Sequence, residues 1–317
     1  EVKRLKHSIP ISIVILTYNR SELLDSLLIS LQQIQYNNLE CIVVDNHSED
    51  ETERTVNDRH SECIYIRVEK NIGVGARNIG LKQARGDIII CLDDDVFGID
   101  DSAVSKVIDI FSNNEKIGAC NFKILDFYTG EQCNWIHHCE QKKYSSECFN
   151  TYEITEGAVA FRKKALVEAG FYPEYFFISH EGPDLAFRLI NKGYDVIYTG
   201  DVVVRHCHSD IGRLSWLNYY YDTRNQYWLA VRNFPLLYAL RYLIRGQIST
   251  LVYSIRDGFF RYWLKAVIDG LSGLPRAFAD RKVVSKDARN VILTIDGMRP
   301  SLFHMIKNRV FKKDMRL

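Results

Sequence analysis

Apolar and polar positions change period along this chain, and the changes predict its elements. Ile11-Ser-Ile-Val-Ile-Leu16 is β-branched and almost wholly apolar, as a strand covered on both faces should be. Leu23, Leu24, Leu27, Leu28 and Leu31 then recur at helical spacing behind Asn19-Arg-Ser-Glu22, which reads as a capping box. Residues 41–44 predict a second buried strand, Ser48-Glu-Asp-Glu51 a second capping box, residues 63–68 a third strand, and residues 74–84 a helix closed by Gly86. A fourth strand, residues 87–92, runs straight into Asp93-Asp94-Asp95. Strands that alternate with helices in this way predict an α/β fold with a doubly wound, mainly parallel sheet.

The second half is less regular. Residues 117–125 and 151–161 read as strands, with a Cys- and His-rich excursion between them. Residues 163–169 and 183–192 read as short helices, the second with Pro183 in its first turn and Gly193 just past its end. Residues 196–204 return to strand character, and from residue 214 the pattern is helical. The expected organisation is a catalytic domain over 8–212, divided near residue 98 into two halves, followed by a helical C-terminal extension over 213–317.

Composition narrows the function classes. The apolar fraction of 46% excludes a disordered or low-complexity chain, and a net charge of +1 argues against a nucleic-acid binder. That total hides an asymmetry: residues 235–317 carry 16 Lys+Arg against 6 Asp+Glu, a net +10, which leaves −9 on the rest. Eight cysteines in 317 residues do not suggest a secreted disulfide scaffold. The charged start and short apolar run at 9–16 do not read as a signal peptide, and the uncharged stretch 246–255 is too short to span a bilayer. The expected location is cytoplasmic. Within the basic region Arg241 and Arg245 share a helical face, as do Arg261 and Lys265, beside Tyr238, Tyr242, Phe259, Phe260, Tyr262 and Trp263. This pattern fits a helix lying at an anionic membrane surface, peripheral at its inner face, or one packed on the core or in a homodimer.

The predicted strand ends carry the chemistry. In open α/β sheets ligands bind outside the carboxyl ends of the strands, and here those ends read Thr17-Tyr18-Asn19-Arg20, Asp45-Asn46 and Asp93-Asp94-Asp95. Three adjacent carboxylates repel one another and call for a cation. Oxygen ligands suit Mg²⁺ or Mn²⁺. In an extended chain Asp93 and Asp95 point one way and Asp94 the other.

Taken in order, Ile-Val-Ile-Leu-Thr-Tyr-Asn-Arg20, Val-Val-Asp-Asn-His-Ser-Glu-Asp-Glu-Thr52, Asn71-Ile-Gly-Val-Gly-Ala-Arg-Asn78, Leu-Asp-Asp-Asp95, Glu156-Gly157 and His180-Glu-Gly-Pro-Asp-Leu-Ala-Phe-Arg188 resemble a family 2 glycosyltransferase of GT-A fold, of the bacterial rhamnosyl and galactosyl type, over residues 10–230. The resemblance implies an inverting transfer of a sugar from a nucleotide-diphosphate sugar, UDP favoured, to a hydroxyl acceptor. It implies that Thr17, Asn19, Arg20, Asp45, Asn71, Gly73, Arg77, Asp93 and Asp94 serve the nucleotide. Glu156 and Gly157 would serve the acceptor, and Asp95 would hold the metal. Val204-Arg-His206-Cys-His208 stands where relatives supply a histidine ligand, and His206 is preferred to His208. Relatives read Glu-Asp-x-Asp where this chain reads Glu181-Gly182-Pro183-Asp184. Asp184 faces Arg188 at helical spacing, so Glu181 is expected to be the general base, with Asp184 the other candidate.

Three rivals are weaker. A sugar-phosphate nucleotidyltransferase opens with a Gly-rich, basic loop that does not follow Leu16. A dinucleotide dehydrogenase needs Gly-x-Gly-x-x-Gly there. A non-catalytic nucleotide-binding scaffold has no use for Glu181. Cys120, Cys133, His137, His138, Cys139 and Cys148 lack a Cys-x-x-Cys pair, so the excursion reads as an acceptor-side loop with Trp135 and His138 rather than as a local zinc site.

Overall fold

The structure, a computed structural model, describes residues 9–208 and 216–298. The first half runs β1 (Ile11–Thr17), α1 (Ser21–Leu31), β2 (Leu39–Asp45), α2 (Thr52–Arg59), β3 (Ile64–Arg67), a 3-10 turn (Gly73–Ala76), α3 (Arg77–Gln83) and β4 (Ile88–Asp93). Next come β5 (Val96–Phe97), α4 (Asp101–Asn113), β6 (Ile117–Asp126), α5 (Gln141–Tyr144), β7 (Cys148–Asn150), β8 (Ala158–Arg162), α6 (Lys163–Ala169), α7 (Glu181–Asn191) and β9 (Asp195–His206). Five helices close the described chain: α8 (Trp216–Asn233), α9 (Leu236–Arg256), α10 (Phe260–Ser272), α11 (Leu274–Ala279) and α12 (Lys286–Asp296).

One sheet runs β3-β2-β1-β4-β8-β6-β9-β5, with β7 beside β9. The β3-β2-β1-β4 half is parallel, as the alternating pattern predicts. The other half is mixed: β8 lies antiparallel between β4 and β6, while β6 and β9 run parallel. Both faces of β1 are covered. Ile13 and Ile15 pack with Leu24, Leu27 and Leu28 of α1, whereas Val14 packs with Ile42, Val44 and Leu81. That two-sided burial is why β1 has no polar alternation.

Both expected capping boxes are replaced by bonds between loops. Ser48 Oγ accepts from the Asn19 amide (2.9 Å), and Asn19 Oδ1 accepts from the Glu49 amide (2.7 Å). Helix α2 accordingly starts at Thr52, beside Asp50. The strand expected over 151–161 shortens to β8, and the helix expected from Pro183 starts two residues earlier, at Glu181. Gly193, with φ of 85°, follows α7 as expected.

The expected boundary between residues 212 and 213 lies outside the described residues, as do residues 299–317. Within the described part, α8 is not separate from the body. Trp228, Leu229 and Phe234 belong to the same apolar cluster as Leu185 and Phe187 of α7. Helix α10 packs on α8, where Trp228 Nε1 donates to the Gly270 carbonyl (3.0 Å).

Candidate active site

The carboxylate triplet ends a buried strand and splits at once. Strand β4 stops at Asp93, and Asp94-Asp95 form a turn into β5. Because the strand has ended, alternation does not apply, and Asp94 and Asp95 both face Arg20 instead of pointing apart. Arg20 Nη1 donates to Asp94 Oδ1 (3.0 Å) and Asp95 Oδ2 (2.7 Å). Thr17 Oγ1 donates to Asp94 Oδ2 (2.8 Å). Burial, opposed by Arg20, pushes the Asp94 carboxyl up to about 7. Asp93 faces outward, its side chain 41% exposed, and is paired with Arg77. The triplet's mutual repulsion is therefore met in part by two arginines.

Arg77 is fully buried on α3, where it donates to the Leu92 carbonyl (2.8 Å) as well as to Asp93. Burial opposes its charge, but Asp93 holds its pKa above the ordinary value. Asn71 and Gly73 build the turn before α3. Asn71 Oδ1 accepts from Asn46 Nδ2 (3.0 Å) and from the Gly73 amide (2.9 Å). Gly73 has φ of 65° and no room for a Cβ against the Phe177 carbonyl. The Val74 amide, next to Gly73, donates to the Phe177 carbonyl (2.7 Å) and ties this turn to the loop before α7.

Asp45, expected to serve the nucleotide, is enclosed at the end of β2. It is fully buried and accepts from the Ser48 amide (2.8 Å), Tyr65 Oη (2.6 Å) and Arg67 Nη1 (3.3 Å). Its carboxylate shapes the loop after β2, where Asn19 joins it through Ser48.

Asp95 and His206 come together through register. Val96 pairs with His206 across β5 and β9, and the Cys207 amide donates to the Asp95 carbonyl (2.8 Å). His206 Nε2 lies 3.2 Å from Asp95 Oδ1, and His206 Nδ1 lies 2.7 Å from Asn134 Nδ2. A carboxylate oxygen next to an imidazole is a donor set that fits a divalent cation, Mn²⁺ better than Mg²⁺. With the Asn134 amide turned to accept from Nδ1–H, Nε2 keeps its lone pair for the ion. Asn134 was not foreseen, since nothing in its local sequence ties it to a histidine 72 positions away.

Glu181 opens α7. The chain reaches it through three non-glycine residues with left-handed backbone, Phe177 (φ 70°), Ser179 (φ 75°) and His180 (φ 66°). Such strain persists only where the surroundings over-determine it. Asn225 of α8 supplies that constraint, its Nδ2 donating to the carbonyls of Phe176 (3.0 Å), Ile178 (2.8 Å) and Ser179 (2.7 Å). Arg224 adds a bond to the Phe176 carbonyl (2.7 Å). Glu181 is 3% exposed, its Oε2 has no hydrogen-bond partner among the described residues, and burial pushes its carboxyl up to about 7. Burial outweighs the helix-start potential that would otherwise lower its basicity.

Asp184 is used differently. It accepts from Arg188 Nε (3.0 Å), Arg232 Nε (2.9 Å) and Asn233 Nδ2 (2.7 Å). Burial would raise its pKa, but Arg188 and Arg232 hold it below the usual carboxylate value. The partners on α8 could not be read from spacing, because they lie 48 and 49 residues away. Gly182 stands where the family resemblance implies a second carboxylate, and a side chain there has no room: a Cβ would meet Glu156 Oε1 and the Ile154 carbonyl. Burial and Glu181 together push the Glu156 carboxyl well above its ordinary range. Gly157 accepts from the Asp93 amide (3.2 Å), and its missing Cβ leaves room for the Asp93 carboxylate.

Similarity to known proteins identifies the family and the fold. The family model for glycosyl transferase family 2 matches residues 12–170, half of the chain, and the chain belongs to that family. An O-antigen chain rhamnosyltransferase of Salmonella typhimurium is 25% identical over 225 residues, covering 66% of this chain and 70% of that protein. Among solved structures, S. aureus TarS in complex with UDP-GlcNAc has a TM-score of 0.61 at 18% identity, covering 91% of this chain and 89% of that one. A mannosyltransferase of Pyrobaculum calidifontis in complex with GDP-Man and Mn²⁺ has a TM-score of 0.56 at 17% identity, covering 96% and 88%. The fold is GT-A, and the protein is a glycosyltransferase.

Proposed function

We propose that the protein transfers a sugar with inversion from a nucleoside-diphosphate sugar, a uridine donor favoured, to a hydroxyl of a glycan or lipid-linked precursor. The observations that carry this reading are Asp95 beside His206 at the end of β9, and buried Glu181, one oxygen unpartnered, at the start of α7. Thr17, Asn19, Arg20 and Asp93 form the nucleotide side, steadied by Arg77 and Asp94. Asp95 and His206 would hold Mn²⁺ or Mg²⁺, whose chemistry is to neutralise the leaving diphosphate. The acceptor oxygen attacks the anomeric carbon, its proton passes to Glu181, and the electron pair of the breaking bond leaves with the nucleoside diphosphate. Mn²⁺ accompanies GDP-Man in the Pyrobaculum enzyme and UDP-GlcNAc is bound in TarS, which supports donor class and metal alike.

Nucleoside-diphosphate affinity should then depend on divalent metal. Calorimetric titration with UDP should show binding strengthened by Mn²⁺ in the native protein and indifferent to it in Asp95→Ala. Equal affinity in chelator and in Mn²⁺ for the native protein would refute metal dependence.

The basic helices support a second element of the proposal, a peripheral contact with anionic lipid at the inner face of the membrane. No helix among the described residues is long and apolar enough to cross a bilayer. Helix α9 nevertheless exposes Leu237, Leu240, Ile244, Ile248 and Ile255 along one stripe, flanked by exposed Arg241 and Arg245. Its other face packs against α8, so the core-helix reading accounts for that side and the exposed stripe is the side that would meet lipid. The protein should sediment with anionic vesicles and be released by salt, because the attraction is screened within about 8 Å at physiological ionic strength. Sedimentation that ignores vesicle charge, or none on anionic vesicles, argues against the lipid contact.

A further inference from the structure

Beside Asp95 lies a group of softer donors that the transfer does not use. After β6 the chain turns back on itself: Leu125 bridges Gln132, and the Cys133 amide donates to the Ile124 carbonyl (3.1 Å). The parallel register of β6 with β9 sets Asp126 opposite His206, so the returning chain brings Cys133 to the end of β9. One ligand atom each from half-buried Cys133, buried His206 and exposed His208 then lie within 4.8 Å of one another. The rings of His206 and His208 are 4.0 Å apart between centroids.

We propose that Cys133, His206 and His208 form a binding site for a thiophilic divalent cation of the zinc class. One thiolate and two imidazoles make a soft donor set that suits zinc and is foreign to Mg²⁺. Three protein ligands leave a fourth position for water or Asp95. Zinc–sulfur and zinc–nitrogen bonds of about 2.3 and 2.0 Å put tetrahedral donors roughly 3.5 Å apart. Closure therefore asks for about an ångström of movement, which exposed His208 can supply by rotating. Burial and the charge of Asp126 push the Cys133 thiol up to about 11, so binding expels the thiol proton to solvent as the sulfur–metal bond forms. The remaining cysteines and histidines of the excursion are placed elsewhere: His137 sits among Trp135, Phe149 and Tyr198, and His138 against Tyr152.

His206 belongs to both this site and the Asp95 position, so a zinc-class cation here withdraws a ligand from the ion proposed to serve transfer. That competition rests on the proposed function, whereas the site itself does not. The test uses the full chain, reduced and stripped with chelator, and titrated with Co²⁺. The expected result is a thiolate-to-cobalt charge-transfer band that Zn²⁺ abolishes. The band should be absent in Cys133→Ser, and cobalt affinity should fall by about tenfold or more in His208→Ala. It should persist in Cys148→Ser, which removes an exposed cysteine on β7, and in Asp95→Ala, so that failure of this site and failure of the catalytic reading are seen in different variants. Thermal unfolding of the stripped variants establishes that each is folded. A native protein without the band, or a band that survives Cys133→Ser, overturns the proposal.

Discussion

Glu181→Gln is expected to lower turnover by about 10²–10⁴ while leaving nucleotide-sugar affinity nearly unchanged. Glutamine keeps the shape of the side chain at the start of α7 but cannot accept the acceptor's proton. A pH profile adds a sign. Burial pushes Glu181 up to about 7, so the native rate should rise with pH through that region and flatten above it, and the variant should lose this limb. Stability moves the other way. A carboxyl whose folded pKa is raised contributes most below its unfolded value, about 4.3, and loses that contribution as pH rises through the folded value. Glu181→Gln should therefore gain stability relative to the native protein above neutrality, as expected where a buried charge is kept for function. Steady-state rates, calorimetry with donor, and urea unfolding at two pH values check the three statements. Near-full transfer by Glu181→Gln, with transfer lost by folded Asp184→Asn, would hand the base role to Asp184.

Asp184→Asn is expected to act on the fold instead. Its carboxylate is fully buried and joins Arg188 of α7 to Arg232 and Asn233 of α8. Removing one partner of a buried ion pair typically costs about 3–5 kcal/mol, because the remaining charge is left desolvated and uncompensated. Here Arg188 loses its carboxylate partner, while Arg232 keeps Asp280 (3.1 Å). Urea unfolding should show the loss as a lower midpoint, while turnover per folded molecule changes far less than in Glu181→Gln. The folded pKa of Asp184 is held down, so its contribution is full above about pH 4 and is lost as pH falls further. The stability gap between native protein and variant should close on that acid side. A gap independent of pH there would remove the ion pair from the account.

These two carboxylates, three residues apart, show how far the sequence could be read. The pairing of Asp184 with Arg188 follows from helical spacing and is present. The second arginine comes from α8, and no local pattern announces it. Glu181 has no oppositely charged partner at helical spacing. What decides its basicity is burial by the strained loop that Asn225 holds from 44 residues further along. The missing carboxylate at Gly182 likewise has a tertiary reason, the Glu156 side chain and Ile154 carbonyl that fill its space.

Elements whose stability is local were legible. Helix α6 spans Lys163–Ala169 as its pattern predicts, and β6 starts at Ile117 as expected. The parallel half of the sheet follows from unbroken apolar runs, because a strand buried on both faces has no polar alternation to hide. The family motifs also sit in the sequence itself, since close backbone approach and charge at strand ends demand fixed residue types. Signals that rested on short polar side chains failed where a distant backbone group competed for the same oxygen. Ser48 and Asn19 do not cap their own helices because they bond each other's loops. The meeting of Cys133 with His206 and His208 depends on the register between β6 and β9. Periodicity fixes which face of a strand is buried, but only the assembled sheet decides which residues stand side by side.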